Sequence, residues 1–496
     1  MLDVAENVQY SVEVRTKLLP VHNNIIHSFS TRTIIEEIGM IKATPGRTGQ
    51  NMKRIKQISV KNLFGMFNHT IPLNLDERIT IIHGPNGFGK TAILRLLDTL
   101  FSQSDLSLSN SALQSLPFEE FRVCFNDGTD FWVSKANVAQ GENKDEDVIK
   151  ILQGSILHFK DSAQKVSLTL PLSSIYPLSL RLQRLRLRNR ASGWEEVAAD
   201  NLLGEMQKEE REVIQKNIKL LNTVRGSVSL RLIETQRLQR MFTSTDLVPD
   251  EPEFEVQPVI ENTVASYSQE IARIIEAKLA ESTALTQSLD RTFPARLVSP
   301  TVRQRSVTED ELRAKLAALE GKRKYLMDAG LLDQEGSDAI QVQEKDQIDE
   351  STKAVLSVYV EDAEKKLGVF NELANKIDLL KRIINKRFLY KEMMVSKNQG
   401  FVFTNANKVV LPPTELSSGE QHELILFYEL LFKTSPGSLI LIDEPEISLH
   451  VVWQEQFLED VQAVTRLSDI DVLLATHSPD IIAGRRDLLV ELKGPN

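Results

Sequence analysis

The sequence predicts an α/β fold whose functional centre is assembled from both ends of the chain, with a helical region inserted between them. Three observations carry that prediction. A short β-branched apolar run at 78–83 leads straight into Gly84-Pro85-Asn86-Gly87-Phe88-Gly89-Lys90-Thr91, and then into an apolar helix pattern at 92–100. Towards the other end, apolar runs at 438–442 and 473–476 stop at Asp443-Glu444 and at His477. Between these two regions, apolar residues step by three and four, the period of helices.

A chain of 496 residues exceeds one compact core, and 41% hydrophobic with 26% charged residues is ordinary for a soluble globular protein. The pattern divides it into an N-terminal extension (1–51), a first lobe (52–250), a helical insertion (251–400) and a second lobe (401–496). No apolar run is long enough to span a bilayer, and the first fifty residues lack the layout of a signal peptide. The expected location is the cytoplasm, with no membrane contact. The single cysteine, Cys124, excludes an internal disulfide or a Cys-based zinc site within one chain, and reads as a small buried strand residue. A net charge of −10 gives no global attraction to DNA, so nucleic-acid contact would need local basic patches. The acidic balance favours a protein partner or a small-molecule ligand.

In chain order, the breaker-rich stretch at 43–49 makes the first fifty residues read as a tail rather than a partner-binding arm. Strands are expected at 55–60, 69–73 and 78–83. Two more, at 121–125 and 130–133, flank the hairpin signal Asn126-Asp127-Gly128-Thr129, and another is expected at 166–172. Arg181, Arg184, Arg186, Arg188 and Arg190 either contact nucleic-acid phosphates or form a solvated face answered by Glu195 and Glu196, the second reading being preferred. A strand at 227–232 leads to Gln236, either a Mg²⁺ and water contact or a surface glutamine. The acidic, proline-bearing run at 246–255 reads as a linker.

Ile260, Val264, Tyr267, Ile271 and Ile274 then form a seam, continued by Leu279, Leu285 and Leu289 until Arg291-Thr292-Phe293-Pro294 stops the helix. Thr308 and Glu311 form a capping box opening a second helix, to Asp328 with Gly330 beyond. A third is expected from about 343 to 394, with Leu367, Phe370, Ala374, Ile377, Leu380, Ile384 and Phe388 on one side. Together they predict a short antiparallel coiled coil of roughly 50 Å. A hairpin is expected at 402–404 and 409–411.

The chemistry follows from residue types. Glycines let the backbone N–H groups of the Asn86, Gly87 and Gly89 turn point at phosphates, and the following helix adds its positive end. Lys90 is suited to the β- and γ-phosphates and the Thr91 hydroxyl to Mg²⁺. Adjacent acids at the end of an apolar strand are costly unless a cation or catalysis uses them. Asp443 is therefore the expected Mg²⁺ ligand, Glu444 the general base, and His477 the γ-phosphate sensor or water orienter. Leu416-Ser417-Ser418-Gly419-Glu420-Gln421 precedes a helix at 421–432 and makes a second anion site. One γ-phosphate is not readily served by two helix N-termini of one lobe. Ser418, Gly419 and Glu420 are thus expected to close on the nucleotide of a second copy. The plainer alternative is a capping turn with Ser418 as N-cap.

These four segments together resemble the ABC-type ATPase head shared by SMC, RecF and OLD proteins. Asn62-Leu63-Phe64-Gly65 is similar to their N-terminal strand signature, 446–450 to the D-loop, and Gln236 to the Q-loop. The resemblance implies an ABC-type P-loop head, ATP and Mg²⁺ as ligands, hydrolysis to ADP and phosphate, and a homodimer closed around ATP. With no Cys-x-x-Cys hook and a short coil, the chain departs from the long-armed double-strand-break repair ATPases. It ends soon after His477, so the nuclease domain fused to many OLD proteins is not expected. With Leu289-Asp290-Arg291-Thr292-Phe293-Pro294-Ala295-Arg296 in the insertion, it looks most like the PtuA-type ATPases of Septu and retron-associated antiphage systems. That resemblance implies a separate HNH nuclease subunit as partner. The competing readings are a RecF-like DNA-repair ATPase that binds DNA directly, a transporter motor subunit, and a nucleotide-sensing scaffold with little or no turnover.

Overall fold

The computed structural model describes residues 53–101, 112–135, 155–160, 166–171, 219, 222–242, 259–298, 308–333 and 349–495. The N-terminal extension, the arginine run at 181–190 and the linker at 246–255 lie outside them.

The centre is a parallel sheet drawn from both chain ends. Strands β3 (Ile79–His83) and β8 (Leu230–Ile233) come from the first lobe. Strands β14 (Leu439–Asp443), β15 (Asp471–Thr476) and β16 (Leu489–Glu491) come from the last. They lie in the order β16-β3-β15-β14-β8, every pair parallel. Side chains alternate between faces, as the two-residue period of a strand requires. Ile79, Ile81, Ile440, Ile442, Val472 and Leu474 enter one core, whereas Ile82, Leu439, Leu441, Leu473 and Ala475 enter the other. Burial on both faces explains why these strands read as unbroken apolar runs.

The second core is closed by helix α1 (Lys90–Phe101) and an antiparallel sheet. That sheet contains β1 (Ile55–Leu63), β2 (Phe67–Pro72), β4 (Glu120–Phe125), β5 (Asp130–Lys135), β6 (Ser155–Lys160) and β7 (Val166–Pro171). Its order is β2-β1-β4-β5-β6-β7. Ile93, Leu94, Leu96, Leu97, Leu100 and Phe101 of α1 are buried there, each contributing roughly 2 kcal/mol of burial. Arg225 fastens the end of α1, donating from Nε to Leu100 O at 2.9 Å and from Nη2 to Thr99 O at 2.9 Å. Strand β6 is not foreseen by the sequence reading. Cys124 sits half-buried on β4, where burial pushes its thiol up to about 11.

The insertion begins later than its seam predicts. Ile260 lies on β10 (Val259–Asn262), paired with β9 (Gln239–Phe242), and the Asn262 side chain accepts from Val264 N and Ala265 N. That cap starts α2 (Thr263–Val298) at Thr263, with Val264, Tyr267 and Ile271 buried as the seam requires. Its 36 residues span roughly 54 Å at about 1.5 Å each. Pro294 does not stop the helix. Arg296 holds the final turn, donating to Asp362 at 2.5 and 2.6 Å and to Leu289 O at 2.9 Å.

Helix α3 (Glu309–Asp328) carries the expected capping box of Thr308 and Glu311, and Gly330 lies beyond it at φ 78°. The single third helix is replaced by two, α4 (Glu350–Gly368) and α5 (Asn371–Arg387). The break follows Gly368, a weak helix former, and Phe370 drops into the core. Residues beyond α5 form β11 (Lys391–Ser396), not helix. It pairs antiparallel with β12 (Gly400–Asn405), which pairs in turn with β13 (Val410–Leu411). The expected hairpin is thus the last two strands of three. Helices α3 and α2 pack against α4, the short coiled arm.

Helices α6 (Ser418–Phe432) and α7 (Val451–Ser468) cover the first core with α5. Arg387 on α5 is buried against Glu423 on α6 and Asp460 on α7. Arg387→Ala leaves both carboxylates without their cation. We expect a loss of about 3–5 kcal/mol, read as a lower urea midpoint with unchanged slope. The described residues thus form an α/β fold with an inserted helical arm. Among the described residues, no helix is long and apolar enough to cross a membrane.

Candidate nucleotide site

The loops that follow β3, β14, β15 and β8 leave the same edge of the parallel sheet, the carboxyl ends of its strands, where ligands of such folds bind. The loop after β3 turns on two glycines with left-handed backbone, Gly87 at φ 86° and Gly89 at φ 89°. At Gly89 a Cβ would also come within 2.4 Å of Leu63 Cδ2, so a side chain there would both strain the left-handed backbone and displace Leu63. Phe88 anchors the outer side of the loop: its carbonyl accepts from His69 Nε2 at 3.0 Å and its ring packs on Phe67. Burial holds the His69 imidazole below its usual pKa, keeping it neutral.

Lys90 is buried, and its ammonium folds back over the loop, donating to Gly84 O at 2.6 Å and Pro85 O at 3.2 Å. One residue on, Thr91 Oγ1 donates to Asp443 Oδ1 at 3.1 Å, across 352 positions of sequence. Thr91, Arg95, Glu234, Gln236 and Asp443 line one small cavity. Gln236 is exposed, and it lines the same cavity as Thr91 and Asp443. Thr235 secures it, donating to Asp443 O at 3.3 Å. Burial raises the Asp443 carboxyl above the usual range, opposed by the Thr91 hydroxyl and reinforced by Glu444.

Glu444 takes a left-handed backbone, φ 42° and ψ 58°, which costs a non-glycine residue about 1–3 kcal/mol. Its N–H donates to Ala475 O at 2.9 Å, tying it to β15. His477, at the end of β15, has Nδ1 3.9 Å from Glu444 Oε1 and 3.0 Å from Glu446 Oε1. His477 follows β15, which runs parallel to β3, so it lies at the same sheet edge as the phosphate loop, half-exposed.

The segment before α6 is built differently from its capping alternative. Ser417, not Ser418, is the N-cap, and Glu420 completes its capping box. Glu420 does not face outward: it is buried and bound by Lys391 Nζ at 2.7 and 2.8 Å. That ion pair holds its carboxyl below the usual range despite burial. Ser418 is left exposed and Gly419 half-exposed at the helix start. They are not among the residues around Thr91 and Asp443.

This donor set fits Mg²⁺ and a triphosphate. A hydroxyl and a carboxylate one hydrogen bond apart, with a side-chain amide beside them, are the hard oxygen ligands Mg²⁺ takes while keeping positions for phosphate and water. Among the described residues there is no cluster of three His, Cys, Asp or Glu, as an all-protein metal cage would need. Asn86 and Gly87 are exposed at the mouth of the loop, above the Lys90 ammonium.

The family model described as "AAA ATPase domain" matches residues 52–482. The chain belongs to the AAA ATPase domain family. No curated protein matches it. Among solved structures it is similar to an SMC head domain from Thermotoga maritima, with 10% identity, covering 89% of this chain and 95% of that one at a TM-score of 0.31. It is also similar to the Smc head with an extended coiled coil, bound to the C-terminal domain of ScpA, from Pyrococcus furiosus: 13% identity, 87% and 92% coverage, TM-score 0.30. A third is the Smc head with a coiled coil and joint from Pyrococcus yayanosii, at 12% identity, 87% and 93% coverage, TM-score 0.32.

Four residues near this site have roles there that the motif reading does not assign, Glu446 being read only as the first residue of the D-loop. Arg95 and Glu234 line the cavity, Thr235 holds the Asp443 backbone, and Glu446 holds His477. Arg95 follows Thr91 by one helical turn, which puts both on one face.

Proposed function

We propose that this protein binds ATP with Mg²⁺, hydrolyses it to ADP and phosphate, and through an ATP-bound homodimer regulates a separate nuclease in antiphage defence. The observation that carries the catalytic part is the Thr91–Asp443 hydrogen bond at 3.1 Å, in a cavity shared with Gln236. The bound Mg²⁺ would neutralise charge on the phosphates, held by Thr91 and Asp443 with Gln236 beside them. Lys90 releases its loop carbonyls to reach the β- and γ-phosphates. Glu444 accepts the proton of a water attacking the γ-phosphorus, and the bond to the β–γ bridging oxygen breaks as ADP leaves.

Dimerisation is supported by Ser418, exposed, and Gly419, half-exposed, at the start of α6. The Ser418→Arg variant, which places a long cation there, should bind ATP with affinity within about threefold of wild type. Its turnover should fall by about tenfold or more. Steady-state hydrolysis beside calorimetric titration measures both; a turnover indifferent to the change overturns closure by a second copy.

The nuclease partner rests on the resemblance to PtuA-type ATPases and on how the arm is mounted. Tyr267 of α2 donates to Glu429 of α6, and Ser268 Oγ both donates to Gln399 O and accepts from Phe401 N, each at 2.9 Å. A movement of α6 on dimer closure would therefore reach α2 directly. Co-purification with an HNH protein whose cutting depends on ATP supports this reading. Salt-sensitive, nanomolar DNA binding by the subunit alone would favour the RecF-like DNA-repair alternative instead.

A further inference from the structure

Glu446 is buried, and one of its oxygens accepts two hydrogen bonds and lies close to the His477 ring. Oε1 lies 2.8 Å from Thr476 Oγ1, 2.8 Å from His477 N and 3.0 Å from His477 Nδ1. A carboxylate only accepts, so the ring can bond to it at this 3.0 Å separation only with its proton on Nδ1. The carboxylate is itself held in place. Gln454 Nε2 donates to Glu446 O at 3.4 Å and Leu449 O at 3.1 Å, and Gln454 Oε1 accepts from Ser478 Oγ at 2.7 Å. Ser478 N donates to Thr476 Oγ1 at 3.0 Å, closing a network that joins the loops after β14 and β15.

We propose that Glu446 is a positioning residue that locks His477 in the Nδ1–H tautomer, so that the neutral ring presents a bare Nε2 lone pair at the nucleotide site. A free histidine side chain prefers the opposite tautomer, and half-exposed His477 would adopt it without the buried carboxylate. With Nδ1–H engaged, the ring cannot turn and can accept a hydrogen bond only at Nε2. His477 then orients the attacking water as an acceptor at Nε2, on a ring whose Nδ1 lies 3.9 Å from Glu444 Oε1. The same logic holds the imidazole of a catalytic triad in one tautomer. The role in turnover rests on the ATPase reading above; the tautomer does not.

The test is nitrogen NMR of the full chain labelled at its histidine rings, at alkaline pH, with His477 assigned by its loss in His477→Asn. The expected wild-type pattern is protonated Nδ1 and bare Nε2. Glu446→Gln keeps that pattern, because the His477 backbone N–H, a donor only, holds the amide oxygen in the place of Oε1. Glu446→Ala reverts to Nε2–H. In hydrolysis assays Glu446→Ala loses about tenfold or more in kcat with KM within about twofold, and Glu446→Gln restores most of it. A wild-type ring already in the Nε2–H form overturns the proposal, and this reading stands even if Glu446→Ala does not fold. A reverted tautomer with unchanged kcat also overturns it. A chain with no hydrolysis that still shows Nδ1–H contradicts the ATPase reading and leaves the tautomer lock intact.

Discussion

Lys90→Ala should weaken ATP binding severely while leaving the fold intact. The ammonium is buried inside its own loop and bonded to two carbonyls, Gly84 O at 2.6 Å and Pro85 O at 3.2 Å. Those bonds are neutral-acceptor bonds; phosphate oxygens offer charged ones, about twice as strong. Binding therefore exchanges weaker partners for stronger, and removing the lysine removes that difference. The glycine loop and the start of α1 would remain, but with no full positive charge to meet the β- and γ-phosphates. Deleting one partner of a close, desolvated charge pair costs about 2–5 kcal/mol, or roughly thirty- to several-thousand-fold in Kd. Calorimetric titration with ATP and Mg²⁺ measures this directly. The carbonyls belong to Gly84, buried, and Pro85, exposed, so the loss of stability should be about 1–2 kcal/mol. A Lys90→Ala protein with melting near wild type and unchanged ATP affinity would remove the phosphate loop from the site.

The parts of the fold legible in sequence are those where local chemistry and tertiary demand agree. β3, β14 and β15 read as continuous apolar runs because both their faces are covered, and Gly89 reads as favoured because its backbone and Leu63 both oppose a side chain. The Thr308 and Glu311 box sets the start of α3 from within four residues. What failed depends on contacts far away in sequence. Pro294 reads as a stop, yet the last turn of α2 survives because Asp362 on α4 grips Arg296. Ile260 fits the helical seam, yet pairs with Met241 as a strand. Residues 391–396 continue the apolar period of α5, but the left-handed Gly400 reverses the chain and recruits them into a hairpin with β12.

The site divides the same way. Its loop, acids and histidine are motif residues, whereas the Gln236 placement required β8 to lie beside β14. Glu420 is expected at a nucleotide, but its carboxylate is bound by Lys391, a partner 29 residues away that no local pattern announces. The last acid of Asp443-Glu444-Pro445-Glu446 carries a signal, since a buried carboxylate needs donors, but nothing local identifies the residues after β15 as their source.

Glu444→Gln should bind ATP normally and hydrolyse it at most about a hundredth as fast. The substitution preserves shape and hydrogen-bonding reach, so the strained backbone at φ 42° and the N–H bond to Ala475 O are unchanged. What disappears is the proton acceptor. An amide oxygen can still hold water but cannot take its proton, so the loss falls on kcat and not on the affinity for ATP. Asp443, one residue earlier, predicts a different failure. Its bond from Thr91 places it at the base of the metal position, so Asp443→Asn should weaken the dependence of binding on Mg²⁺. If two copies close around ATP, the Glu444→Gln chain should accumulate as an ATP-filled dimer in sizing chromatography, while wild type returns to its resting state as ADP leaves. Single-turnover hydrolysis and retained nucleotide after gel filtration check both halves. Turnover at the wild-type rate would mean that Glu444 is not the base, and the strain at φ 42° would then need another explanation.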